Sequence, residues 1–119
     1  MQTYNYEKLE VYQLASKFAV KMYRFTDDFP KSEIFGLTSQ IRRAAVSVVL
    51  NIVEGNSRSS KKDFALFIER SAGSAVEIRA ALTIAAELGY LKKGALVEVH
   101  PLLDEIYFKL QAFKKYLRS

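Results

Sequence analysis

Cysteine is absent from these 119 residues. That excludes a disulfide framework, thiol chemistry and cysteine-ligated metal, and it fits a reducing compartment. Histidine occurs once, at His100, so one chain cannot build a multi-histidine metal site. Any nucleophile–histidine–acid arrangement has that one candidate base. His100 stands beside Pro101 near a joint, where a surface or helix-start histidine is the plainer reading, and spacing places no serine or acid next to it. Breakers are few, with two prolines and five glycines. Long apolar runs are missing too: the longest uncharged run in the first half, "AAVSVVLNIV", has ten residues, too few to cross a bilayer. The opening "MQTYNYEKLEVYQL" has no basic segment followed by an apolar one, as a secretory signal would. The expectation is a soluble cytoplasmic protein with no membrane partner and no cofactor.

What is present points to a single folded domain over 1–119. Hydrophobic residues make up 50% and charged residues 26%, enough to bury a core at this length. Net charge is +5, and the excess is spread: residues 1–60 hold 8 basic and 6 acidic side chains, residues 61–119 hold 10 and 7. Such a balance permits polyanion binding and also serves plain solubility.

Apolar residues recur at threes and fours in four stretches, predicting helices over about 7–27, 33–54, 60–88 and 95–117. The first carries Leu14, Phe18, Met22 and Phe25, with Asn5 or Thr3 as a candidate start. Pro30 ends it and biases Phe29 toward extended backbone. Asp27 and Asp28 sit at the unfavourable end of the helix dipole and call for a cation from elsewhere. Ser32 is a candidate N-cap for the second helix. There the apolar stripe widens until "AAVSVVLNIV" is apolar nearly all round, with strand as the competing local reading. A helix apolar on every side needs a second cover, either deep burial in its own bundle or a sister subunit; the latter makes Val46, Val49, Leu50 and Val53 candidate oligomer contacts. The third helix begins at a Ser59 or Ser60 cap. Its centre holds Gly73, which costs about 1 kcal/mol against alanine and suits close approach of another backbone. Gly89 reads as a left-handed C-cap. The fourth begins at Ala95 or at Pro101. Short joints between amphipathic helices imply an all-α, up-down-up-down antiparallel four-helix bundle.

No catalytic constellation emerges, and no enzyme is expected. Glu54, Glu69 and Glu77 are carboxylates on helices, but the Glu-x-x-His motif that accompanies carboxylate metal sites in bundles is missing. "GNSRSS" lacks the spacing of a phosphate cradle. The candidates for phosphate contact are Lys17, Lys21 and Arg24 on one stripe, Arg42 and Arg43 on the second helix, and Arg58, Lys61 and Lys62 beside the third helix start. Each also has a bland reading as a solvated or ion-paired side chain; Arg42 and Arg43 could each fix a carboxylate such as Glu69 or Glu77. Tyr4, Tyr6, Tyr12 and Tyr23 are candidates to stack on bases. Asn51 and Glu54 are candidates for a structural clasp that bonds either the joint or the backbone start of the third helix, with Arg58 or Arg43 as charge partner and Gly55 as the left-handed exit.

The segment from Phe29-Pro30 through Glu33, Gly36-Leu37, Gln40, Arg42-Arg43-Ala44-Ala45, Ser47, Asn51-Ile52, Glu54-Gly55, Gly73-Ser74, Glu77 and Leu88-Gly89-Tyr90 resembles the 23S rRNA-intervening sequence protein family. Leu9-Glu10-Val11-Tyr12 matches the family's opening, so the resemblance spans nearly the whole chain. It implies an up-down bundle, a ring-like and pentameric homo-oligomer, and no catalytic residue to carry over. A similar bundle, the accessory protein of diversity-generating retroelements, is a basic pentamer that binds nucleic acid and partners a reverse transcriptase; by that likeness RNA or DNA and a protein partner are expected. The chain departs from the pattern at Val48-Val49-Leu50, where relatives carry a proline, and at Ser71, where they often carry alanine. The second helix is therefore expected to run straighter.

Overall fold

A computed structural model describes residues 4–119; Thr3 lies outside the described residues. Four helices are present: α1 Glu10–Phe25, α2 Leu37–Asn56, α3 Lys61–Glu87 and α4 Ala95–Arg118. Short 3-10 turns at Asn5–Lys8, Thr26–Asp28 and Lys31–Glu33 occupy the flanks. The valine-rich segment is helical, so its β-branched content yields to the helical phase of the residues around it.

Both ends of the first two helices differ from the expectation. The first helix is shorter, because Leu9 is extended and the chain at either side tightens into 3-10 turns. Asn5 lies within the first of those turns and caps nothing. The second helix starts at Leu37, one turn late, and Ser32 sits in a 3-10 turn instead of capping it. Glu33 takes over: its Oε1 accepts the Leu37 N–H at 3.0 Å, satisfying a donor that a helix start leaves free. At the far end α2 runs through Gly55 to Asn56. Gly55 is not a left-handed exit; among the described residues only Gly89 and Gly94 have positive φ. Gly55 serves another need, for a Cβ there would lie 2.8 Å from the Phe64 ring and 2.9 Å from Phe67 Cβ. It lets α2 pass closely over the first turns of α3.

The other ends follow their chemistry. Ser60 Oγ accepts the Asp63 N–H at 3.1 Å and caps α3. Gly89, at φ 78°, closes α3 with bonds from Tyr90 N–H to Ala85 O and from Gly89 N–H to Ala86 O, the paired pattern of a left-handed C-cap. α4 begins at Ala95 after left-handed Gly94 and carries Pro101 inside it.

Each helix packs on its neighbours in sequence, α4 closes onto α1, and the diagonal pairs α1–α3 and α2–α4 do not meet. Cross-links give the directions. Lys21, late in α1, meets Glu98, early in α4, while Glu10 meets Lys109. Arg79 meets Asp104 and Glu69 meets Arg118. Ser71 Oγ donates to Val48 O at 2.7 Å. All three seams are antiparallel, and Arg42 bonding back to Asp27 turns α2 against α1 in the same sense. The result is an all-α antiparallel bundle of 44 × 32 × 22 Å.

Phe18, Met22, Ile41, Val48, Ile52, Ile68, Ile78, Leu82, Ile106 and Leu110 fill the centre. Alanines 44, 45, 65, 72, 75, 81 and 85, all buried, thin the facing surfaces and bring backbones together. Ser71 is fully buried on this seam, and its bond to Val48 O pays the desolvation of the hydroxyl that alanine would not carry.

Candidate nucleic-acid interface

The eight candidate cations do not form one surface. Lys17, Lys21 and Arg24 line a shallow groove of about 630 Å3 with Ser16, Val20, Phe25 and Glu98. Within it Lys21 is held by Glu98 at 2.5 Å; Lys17 and Arg24 make no ion pair among the described residues.

Arg42 and Arg43, adjacent in sequence, have different roles. Arg42 Nε donates to Thr26 Oγ1 at 2.8 Å, and its Nη2 donates to Tyr23 O at 3.0 Å and Asp27 Oδ1 at 2.9 Å. Its guanidinium also lies 4.9 Å from the centre of the Tyr23 ring. This arginine is committed to pinning α2 against the last turn of α1, and its carboxylate is Asp27, not Glu69 or Glu77. Arg43 points outward, exposed and without an acid partner among the described residues.

At the opposite end of the bundle, the α2–α3 joint meets the end of α4. Arg58 Nη2 reaches Glu54 Oε1 at 2.6 Å and its guanidinium lies 4.7 Å from the centre of the Phe67 ring. Lys61 approaches the Tyr116 ring at 5.6 Å. Lys62 borders a cleft of about 440 Å3 with Asp63, Leu66, Leu117 and Arg118. Folding adds residues not singled out as a site from the sequence: Arg70, whose guanidinium lies 4.8 Å from the same Phe67 ring, and Lys114 and Lys115 on α4. The signal existed, since cations favour a helix carboxyl end, but only antiparallel packing brings that end beside Lys61 and Lys62. Residues 4–16, 47–73 and 107–119, which make up this end, hold nine basic and five acidic side chains; residues 17–46 and 74–106 hold nine and eight.

The tyrosines are mostly spoken for. Tyr6 and Tyr12 stack on each other, centroids 4.8 Å apart, and burial pushes the Tyr6 phenol above its usual range. Tyr23 lies under Arg42. Tyr4 is exposed.

The clasp is built differently from the expectation. Asn51 Nδ2 donates to Ser47 O at 2.9 Å and Ser47 Oγ at 3.0 Å, and Ser47 Oγ lies 2.9 Å from Ser74 Oγ. Because α2 continues past Gly55, Asn51 is more than a turn from the helix end. It lands on the α2–α3 seam and does not bond the joint. Glu54 bonds Arg58, one turn on. Of the four proposed oligomer contacts, Val46, Val49 and Val53 are half-buried within the protomer, and Leu50 is 58% exposed.

Glu54, Glu69 and Glu77 all point outward. No group of three or more metal-ligating side chains comes together among the described residues. His100 is half-buried in α4, its Nε2 without a partner among the described residues. No helix among the described residues is long and apolar enough to cross a membrane.

One solved structure similar to the chain is a protein of unknown function from the S23 ribosomal protein family of Bacteroides thetaiotaomicron VPI-5482. It shares 23% identity over 88% of this chain and 95% of its own, with a TM-score of 0.78, which is a likeness of fold. Among curated proteins none matches significantly. The 23S rRNA-intervening sequence protein family matches residues 7–112, so with most of the chain covered, and with the four-helix order and the seams just described, this chain belongs to the 23S rRNA-intervening sequence protein family.

Proposed function

We propose that this chain is a non-enzymatic basic bundle that assembles with copies of itself and binds RNA or DNA through phosphate contacts, as an accessory to a protein partner. The observation that carries the reading is the end of the bundle at the α2–α3 joint. Lys61, Lys62, Arg70, Lys114 and Lys115 converge there without acid partners among the described residues, and most of the net positive charge lies at that end. Phosphates bound there would release condensed counterions, so affinity falls steeply with salt. The ring of five copies implied by the resemblance belongs to this same proposal; it would multiply the basic end and raise affinity through avidity.

The test is a gel shift with RNA and with DNA from low to moderate salt, on protein of measured oligomeric state. Expected is binding that weakens about tenfold or more between 50 and 200 mM salt. Binding indifferent to salt, or none, overturns the nucleic-acid part. The second reading, an interaction oligomer that binds no nucleic acid, is favoured by the ion pairs that already hold Lys21, Arg42 and Arg58; it predicts no shift at any salt.

A further inference from the structure

Phe35, in the joint between α1 and α2, is the most exposed large apolar side chain among the described residues, at 95%. The joint holds it in place. Glu33 N–H donates to Pro30 O at 2.9 Å, Ile34 N–H to Lys31 O at 3.2 Å and Gly36 N–H to Glu33 O at 2.9 Å. The Glu33 carboxylate is tied in turn by the Leu37 N–H and, at 2.7 Å, by the Tyr90 hydroxyl. A joint bonded at each step does not turn the ring back onto the core, and leaving it in water is costly. Ile34, beside it, is 48% exposed and lines a shallow cleft with Thr26, Asp27 and Arg42, which puts the joint on the α1–α2 face.

The other side of the bundle holds a socket. Sequence neighbours pack together and diagonal helices do not meet, so the α3–α4 face lies opposite the α1–α2 face. On that seam Val76, Arg79, Leu103, Asp104, Tyr107 and Phe108 line a cleft of about 230 Å3. Arg79 and Asp104 pair with each other at its edge. What is left for an entrant is apolar, with Val76 54% and Phe108 66% exposed and the Tyr107 and Phe108 rings edge to face, centroids 5.6 Å apart. A cavity of about 150 Å3 takes a benzene-sized ring, so this cleft takes Phe35 with room for part of Ile34. Charge agrees with the fit. Lys31, four positions before Phe35, and Glu105, one turn before Phe108, are both exposed and make no ion pair among the described residues.

We propose that Phe35, with Ile34, of one copy of this chain enters the α3–α4 cleft of the next copy, setting Lys31 of the first against Glu105 of the second. The inference rests on the self-assembly part of the function proposed above and names the surfaces that would carry it. The contact joins unlike faces, head to tail, so it imposes no even copy number and closes into a ring, five copies included, when the turn per copy allows. Val76 lies roughly 16 Å along α3 from the end that carries the joint, so the bundles lean within the ring. The basic end, at the other tip of each bundle, stays free for phosphate.

Sedimentation across a concentration series and disulfide trapping test it, the latter made clean by a chain without cysteine. Phe35→Ser weakens association by about tenfold or more and leaves the melting temperature of the dilute protomer where it was, since the ring touches little of its own chain. Lys31→Glu and Glu105→Lys each weaken association by about threefold; the double reversal restores it. Ile34→Cys combined with Val76→Cys, oxidised at a concentration where copies associate, gives covalent multiples running up to the full assembly, while either substitution alone stops at two. Wild type that assembles with this pattern supports the inference. Wild type that assembles but is indifferent to Phe35→Ser, gains nothing from the double reversal over the singles, or gives no multiples beyond two in the paired cysteine variant overturns the inference and leaves self-assembly standing. Wild type that is monomeric at high concentration overturns both.

Discussion

At the scale of single residues, two glycines with the same letter do opposite things. Gly55→Ala should destabilise the protein by about 1–3 kcal/mol, because the added methyl meets Phe64 and Phe67 in a packed seam. Gly73→Ala should stabilise the protomer by about 0.5–1 kcal/mol in dilute solution, since the methyl meets nothing and alanine favours the helix. Urea unfolding of the two variants checks both signs. From the sequence, Gly55 before a run of polar residues looks like a helix exit; what it does depends on rings that arrive from the next helix, which no local pattern encodes. Glu33 is a similar case. The Leu37 N–H and the Tyr90 hydroxyl hold its carboxylate below the usual range, and Glu33 in turn pushes the Tyr90 phenol up. A depressed carboxylate contributes stability that is present above its unfolded pKa and lost as pH falls through its folded one. A raised phenol contributes stability that is present below about 10 and lost as pH rises through its folded value. Tyr90→Phe should therefore melt below wild type at neutral pH, and the gap should narrow as the solution is acidified past Glu33. Melting curves whose gap stays constant down to about pH 3 would contradict the linkage.

Among elements, α1 and α2 are joined by one side chain more than by any other polar group. Arg42 satisfies Thr26, the Tyr23 carbonyl and Asp27 together. Arg42→Ala should cost about 1–3 kcal/mol by stranding these groups, while Arg43→Ala should stay within about 0.5 kcal/mol, as denaturant unfolding will show. The sequence presents the two arginines side by side with equal claims on a phosphate or a carboxylate. The 100° step between neighbours on a helix separates them, and the phase of α2 against α1 decides which one turns inward. Helix existence and order were legible because the apolar repeats are long and the breakers sit between them. The ends were less so. Ser32 has the right chemistry for a cap, yet the chain tightens into a 3-10 turn and Glu33, one turn before Leu37, does the capping instead. The valine-rich stretch reads as needing outside cover, but much of that cover comes from α1 and α3 within the protomer, leaving Leu50 exposed.

For the whole molecule, charge that looks evenly spread along the chain is uneven in space. Antiparallel packing gathers Lys61, Lys62, Lys114 and Lys115 at one end, although some fifty positions separate the pairs in sequence. That convergence is invisible to any count made along the chain, which is why the fold was readable and this cluster of cations was not. Reversing Lys61 and Lys62 to glutamate should therefore reduce RNA or DNA retention, and flatten its salt dependence, far more than the same reversal of Lys92 and Lys93 at the other end. Filter binding on the two double variants compares them at equal net charge. A body of this elongated shape with its excess cations at one tip also has a permanent dipole. In the field of a polyanion it feels a torque before it feels a contact. Were the proposed polyanion binding to hold, that torque would turn the molecule so that its basic tip leads the approach.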